Sequence, residues 1–151
     1  MPQAYGPVYL HIVFGTKHRE NILTPQLHTD FARYITPILR ECKARLITEG
    51  GMPDHVHILI DLGRESSVAT VVREIKSKSS AWLKSKLGKD FSWQGGYGVF
   101  SVSASHLKNV AQYIENQEEH HRHKTFQEEF EDMLKAAGIE YDPKYFLKDD
   151  D

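Results

Sequence analysis

The dipeptide-spaced pair His55 and His57, in His55-Val56-His57-Ile58-Leu59-Ile60-Asp61, is the first place in this sequence where residue types and spacing suggest chemistry. The run reads as a β-strand, and alternate side chains of a strand share a face. The two imidazoles therefore point the same way, about 7 Å apart at the backbone, and can converge on one metal ion. Val56, Ile58 and Ile60 take the opposite face, toward a core. The pattern alone leaves a second reading open, since a polar sheet face also accommodates histidine and the chain has 9 of them. Tyr113 and Gln117 form the other pair. Four residues apart on a helix, they lie on one side of it, flanking an apolar stripe of Leu107, Val110, Ala111 and Ile114, with His106 and His120 on the same flank. Taken alone, such a tyrosine reads as a packing residue. Together the pairs say more. Two imidazole nitrogens and an amide oxygen suit a divalent ion such as Mn²⁺ or Mg²⁺ with open positions. A tyrosine one turn from a ligating glutamine can attack a metal-polarised phosphate. A free phenol, with a pKa of about 10, is a poor nucleophile at neutral pH and needs such help.

The elements that must position these residues follow from periodicity and punctuation. Val8 to Phe14, bounded by Gly6-Pro7 and Gly15, reads as a strand. Thr24-Pro25 opens an amphipathic helix over 25–44, with Leu27, Phe31, Tyr34, Ile35, Ile38 and Cys42 at helical spacing and Pro37 inside it. Arg45 to Glu49 is a short strand, Gly50 to Asp54 a loop of about five residues, and His55 to Asp61 the second arm of a hairpin. Ser66 or Ser67 caps a helix that runs to Leu87 and stops at Gly88. Residues 97–103 form a fourth strand. Ser105 opens a helix to about His121, and a last short helix runs from about Thr125 to Ala137. The order β-α-β-β-α-β, then helices, predicts the α+β, ferredoxin-like (RRM-like) fold: a four-stranded antiparallel sheet with two helices on one face. A tyrosine-bearing helix and a short last helix follow it.

Composition sets the frame. The chain has 151 residues, 40% hydrophobic and 26% charged, which is ordinary globular composition and the size of one domain. We expect a single domain over 1–151, with a core at about 7–137 and an acidic tail at 138–151. One cysteine, Cys42, makes neither an intramolecular disulfide nor a thiolate zinc cluster. No apolar run approaches the ~20 residues that cross a bilayer, and the N-terminus does not read as a signal peptide. A cytoplasmic protein without a membrane partner is expected. The net charge of -2 argues at first against a nucleic-acid partner. Its distribution does not: residues 1–110 carry +5 and residues 111–151 carry -7.

Three segments carry a resemblance: His55-Val56-His57; Trp93-Gln94-Gly95-Gly96-Tyr97-Gly98-Val99-Phe100-Ser101-Val102-Ser103; and Tyr113-Ile114-Glu115-Asn116-Gln117-Glu118-Glu119-His120-His121. With the opening Tyr9-Leu10-His11-Ile12-Val13-Phe14, their order and spacing resemble the single-tyrosine HUH transposases of the insertion-sequence 200/605 group, over about residues 7–137. The resemblance implies that His55, His57 and Gln117 ligate a divalent metal, Mg²⁺ or Mn²⁺. It implies that Tyr113 attacks single-stranded DNA to leave a 5′-phosphotyrosine and a free 3′-OH, with later rejoining and no nucleotide cofactor. It also implies hairpin-bearing DNA ends as substrate and a homodimer, often with the tyrosine helix of one subunit completing the other's site.

Other residues carry less. Asp54 and His120 are candidates to orient the site, although Asp54 also suits the turn after Pro53 and His120 the solvated end of a helix. Arg73, Lys76 and Lys84, on the helix face opposite the apolar stripe, are candidate phosphate contacts. Trp93 and Tyr97 are candidate stacking surfaces for unpaired bases, and equally candidate core residues. The alternatives to a transposase are a domesticated relative that binds or processes hairpin DNA, an HUH relaxase or replication initiator, and a metallohydrolase. The last is disfavoured because Ile58-Leu59-Ile60 stands where further ligands are expected.

Overall fold

In a computed structural model that describes residues 3–142, four strands form one antiparallel sheet: β1 (Tyr9–Gly15), β2 (Arg45–Met52), β3 (His55–Asp61) and β4 (Gly98–Val102), in the order β2-β3-β1-β4. Two helices, α1 (Pro25–Glu41) and α2 (Val68–Leu87), cover one face. This is the ferredoxin-like arrangement the sequence predicts. The alternation of β1 and β3 decides the layers. Leu10, Ile12 and Phe14 join Val56, Ile58 and Ile60 against Phe31, Ile35 and Leu39 of α1 and Val71, Val72, Ile75 and Leu83 of α2. The registers Ile12↔Ile58 and Val13↔His57 then place His11, Val13, His55 and His57 together on the other face. The helices start and stop where their caps dictate. The Thr24 hydroxyl accepts from Leu27 N, that of Ser67 from Thr70 N, and Gly88 ends α2 in the left-handed conformation at φ 68°. Pro37 sits inside α1, which runs on to Glu41.

The histidine face is covered by three further helices: α3 (Leu107–Glu115), α4 (Gln117–His120) and α5 (Phe126–Ala136). α3 and α4 lie across β2. α5 starts with a capping box between Thr125 and Glu128 and packs Phe126, Phe130 and Leu134 on Val13.

Two expectations are corrected. The hairpin loop is not five residues long. Gly50, Gly51 and Met52 continue β2 in register with His57, Val56 and His55, leaving only Pro53-Asp54 to turn. These glycines mark a close approach: a Cβ on Gly50 would stand 2.4 Å from the Ile114 carbonyl oxygen, so only glycine lets α3 lie this close to β2. The expected continuous helix from Ser105 to His121 is interrupted at Asn116 (φ -105°, ψ 30°), whose N–H donates to the carbonyls of Gln112 and Tyr113. A short 3₁₀ turn, Ala104–His106, precedes it. Of the stripe on α3, only Ile114 is fully buried; Leu107, Val110 and Ala111 are half-exposed in the single chain. The acidic tail beyond residue 142 lies outside the described residues. No helix among the described residues is long and apolar enough to cross a membrane.

Candidate active site

The face of β3 opposite the core begins with His55 and His57, both with no exposed surface. The outer nitrogen of each ring is tied down. His55 Nδ1–H donates to Asp54 Oδ1 at 2.7 Å, and His57 Nδ1 shares a 2.7 Å hydrogen bond with Nε2 of His11 on the neighbouring strand. Both Nε2 atoms are thereby turned toward α4 and α5, the orientation that a metal-ligating imidazole takes when its other nitrogen is hydrogen-bonded. The break at Asn116 turns Gln117 inward, 2% exposed, and its Oε1 lies 3.0 Å from His55 Nε2. Tyr113 approaches from α3, its ring T-shaped to that of His57 with 5.8 Å between centroids.

The structure thus gathers His55, His57, Gln117 and Tyr113, and it adds three residues that the sequence reading did not select. Glu129 of α5, 4% exposed, stands at the centre. Its Oε1 lies 3.1 Å from His57 Nε2 and 3.4 Å from His55 Nε2, while its Oε2 accepts from Gln117 Nε2 at 3.0 Å and from the Tyr113 hydroxyl. His121 points its Nε2 at Gln117 Oε1 and Glu129 Oε1, 3.1 Å from each. His11 supports His57. Signals for all three were present. Glu129 falls on the buried stripe Phe126, Phe130, Leu134, where an acid is costly unless partnered. His121 follows Gln117 by four residues, and His11 shares the alternation of Val13 rather than of the core residues. The side chain of His120 is outside the described set.

Charge in the cluster is strongly polarised. Burial alone would depress His55, but its hydrogen bonds to Asp54 and Glu129 reverse this and raise its pKa to about 9. Burial holds His57 at about 4 and His11 at about 3, so both are neutral imidazoles. Burial works against ionisation of Glu129, yet hydrogen bonds from His55, His57 and Tyr113 hold it far below the ordinary carboxylate range. Burial and the Glu129 carboxylate together push the Tyr113 phenol well above its ordinary value. A cavity of about 510 Å³ opens beside Tyr113 and Glu129, lined also by His121, His123, Lys124 and Asp132.

The candidate DNA contacts are not gathered at this site. Arg73 and Lys84 are exposed on α2, across the sheet from the histidines. Lys76 turns back: its Nζ donates to the carbonyls of Gln94 (2.8 Å) and Gly96 (2.5 Å), and burial lowers its pKa to about 8. Trp93 is a core residue and not an exposed stacking surface. It packs edge-on against Phe14 and Phe91, and its indole N–H donates to Ser79 at 2.9 Å. Tyr97 is half-buried against the same core.

Two buried imidazoles with fixed outer nitrogens, an amide and a tyrosine thus stand together on an antiparallel four-stranded scaffold. Residues 5–117 match the family model described as "Transposase IS200 like", and the chain belongs to that family of DNA-cleaving transposases. It is 26% identical over 127 residues to the ISDra2 transposase TnpA of Deinococcus radiodurans, covering 78% of this chain and 91% of that protein. It is 25% identical over 115 residues to the transposase for insertion sequence element IS200 of Salmonella typhimurium, covering 71% of this chain and 74% of that one. Two solved structures share the fold. One is a candidate transposase from Deinococcus radiodurans (TM-score 0.60, 24% identity, 78% of this chain and 98% of that one). The other is a REP-associated tyrosine transposase bound to a REP hairpin (TM-score 0.58, 17% identity, 100% of this chain and 93% of that one).

Proposed function

We propose that this transposase cleaves and rejoins single-stranded DNA at hairpin-bearing element ends, with Tyr113 as nucleophile. The observation that carries the reading is that one carboxylate, Glu129, touches the Tyr113 hydroxyl and both HUH histidines, so nucleophile and candidate metal ligands meet in one buried cluster. The donor set fits a divalent ion such as Mg²⁺ or Mn²⁺: His55 and His57 present Nε2 with their outer nitrogens already bonded, and Gln117 presents Oε1. When bound, the ion supplies charge to polarise a phosphate oxygen.

The chain's own residues do the rest. Tyr113 Oη attacks phosphorus from the cavity side, and the bond to the 3′ oxygen breaks. A 5′-phosphotyrosine remains, and the leaving 3′ oxygen takes up a proton from solvent to become a free 3′-OH. The phenolic proton has an acceptor in place at Glu129 Oε2. The reverse attack, by a 3′-OH on the phosphotyrosine, reseals a strand without a nucleotide cofactor because the covalent bond keeps the phosphodiester's energy. Asp54 and His11 keep the two imidazoles aimed.

A hairpin substrate is supported by the hairpin bound to the structural neighbour that spans this whole chain. A homodimer remains part of the proposal; within one chain the Tyr113 ring lies 5.8 Å from that of His57. The site of action is the cytoplasm, on DNA.

Strand cleavage of a labelled hairpin oligonucleotide with a single-stranded flank, in Mn²⁺ or Mg²⁺, tests this reading. Wild type cleaves and Tyr113→Phe binds without cleaving; undiminished cleavage by Tyr113→Phe removes the assignment.

A further inference from the structure

The family match ends at residue 117, yet two of the residues that converge on the histidines lie beyond it. Glu129 is a carboxylate buried among Phe126, Phe130 and Leu134. A lone charge in such surroundings costs several kcal/mol unless it is paired or coordinates a metal. Its Oε1 faces the Nε2 atoms of His57 and His121 at 3.1 Å and of His55 at 3.4 Å. Gln117 Oε1 stands 3.0 Å from His55 Nε2 and 3.1 Å from His121 Nε2. Atoms that share an ion at bond lengths of about 2.0–2.2 Å stand roughly 2.8–3.1 Å from their neighbours in octahedral and roughly 3.3–3.6 Å in tetrahedral arrangements. The spacing here matches that of ligands round one ion, and in its absence the same contacts are the hydrogen bonds described above. His55, His121 and Glu129 each offer one such atom, all mutually within 4.8 Å.

The surroundings are built for ligation. Both strand imidazoles are locked through Nδ1, by Asp54 and His11, which leaves Nε2 of each for the centre. Phe126 stacks on the His55 ring at 4.2 Å and 11°, so seating the first turn of α5 on His55 carries Glu129, one turn later, into the cluster. Thr125 and Glu128 fix where that helix starts.

We propose that Glu129 and His121 are further ligands of the divalent ion, so that the last helix completes the metal centre that the strand histidines and Gln117 begin. The inference rests on the metal-centre reading given above. It extends that centre to an anionic ligand from a segment outside the family match. The ion would then bridge β3 to α5 and hold the last helix on the sheet.

The test is Mn²⁺ binding to the purified full chain, followed by electron paramagnetic resonance of free Mn²⁺ and by calorimetry. Wild type, Glu129→Gln, His121→Asn and His55→Ala are compared. Glu129→Gln and His121→Asn are each expected to weaken Mn²⁺ binding at least tenfold. Mn²⁺ is expected to slow amide hydrogen exchange across Phe126–Ala136 in wild type, a readout that needs no variant to fold. Binding by Glu129→Gln within twofold of wild type, with His55→Ala deficient, would overturn the inference and leave the histidine–glutamine centre standing. Unchanged exchange in α5 on adding Mn²⁺ would also overturn it. Failure of wild type to bind Mn²⁺ at millimolar concentration would remove the underlying centre, and the inference with it.

Discussion

Replacing Gly50 by alanine perturbs the site without touching any residue that does chemistry. Gly50 pairs with His57 in the β2–β3 ladder, and its missing side chain is where α3 crosses the sheet. An added Cβ would stand 2.4 Å from the Ile114 carbonyl oxygen and 3.1 Å from Ile114 Cγ2. Ordinary contact begins at 3.4 Å, so α3 must withdraw by about 1 Å. The obstructing atom is backbone, so trimming Ile114 to alanine will not relieve it. Tyr113 precedes Ile114 on α3 and moves with it, while Gln117 lies beyond the break at Asn116. Overpacking of this kind costs about 1–3 kcal/mol of stability. A misplacement of about 1 Å at a reacting group costs about 100-fold in rate. Gly50→Ala is therefore expected to remain folded, with a modestly lowered melting temperature, and to lose about two orders of magnitude in single-turnover cleavage at saturating DNA. Cleavage within about threefold of wild type, in a protein shown to be folded, would refute the claim that this close approach sets the position of Tyr113.

Other expectations follow from the same geometry. Thr125→Ala removes the capping box of α5 and is expected to cost about 0.5–2 kcal/mol, read by urea denaturation. Trp93→Ala, in the core between α1, α2 and the sheet, is expected to cost about 3–5 kcal/mol, whereas a solvent-facing base-stacking residue would cost little. Metal-free stability is expected to peak near pH 6.5. His55, raised to about 9, contributes stability that is fully present below its unfolded value near 6.5 and is lost as pH rises through 9. His57 and His11, lowered to about 4 and 3, stay neutral in the fold while the unfolded chain takes up protons, so stability also falls as pH drops from 6.5 toward 4. Urea midpoints between pH 4.5 and 9.5 in chelator check both limbs, and His55→Gln is expected to flatten the alkaline one.

Residues that obey a local rule were legible in the sequence. β3 runs from His55 to Asp61 as its alternation requires, and α2 ends at Leu87 because Gly88 follows it. That His55 shares a face with His57, and Tyr113 with Gln117, was readable from period alone; that the two pairs form one site was implied by the resemblance. The misread places are those where tertiary contact overrides a local signal. Gly50-Gly51 reads as a turn but is a strand thinned for the approach of α3. The helix break at Asn116 gives no strong local signal, yet it aims Gln117. Glu129 stands 72 residues from His57 in the chain, and nothing local says that its helix folds back over the sheet. Trp93 offered two readings, and only the packing of Phe14, Phe31 and Phe91 around it selects the core.

The most direct measurement of the central claim is mass spectrometry of the protein after incubation with a single-stranded hairpin oligonucleotide and Mn²⁺, followed by nuclease and protease digestion. The account predicts a nucleotide joined through its 5′ phosphate to Tyr113, with no adduct in Tyr113→Phe. Cleaved DNA without a covalent adduct, or an adduct on any other residue, would contradict it.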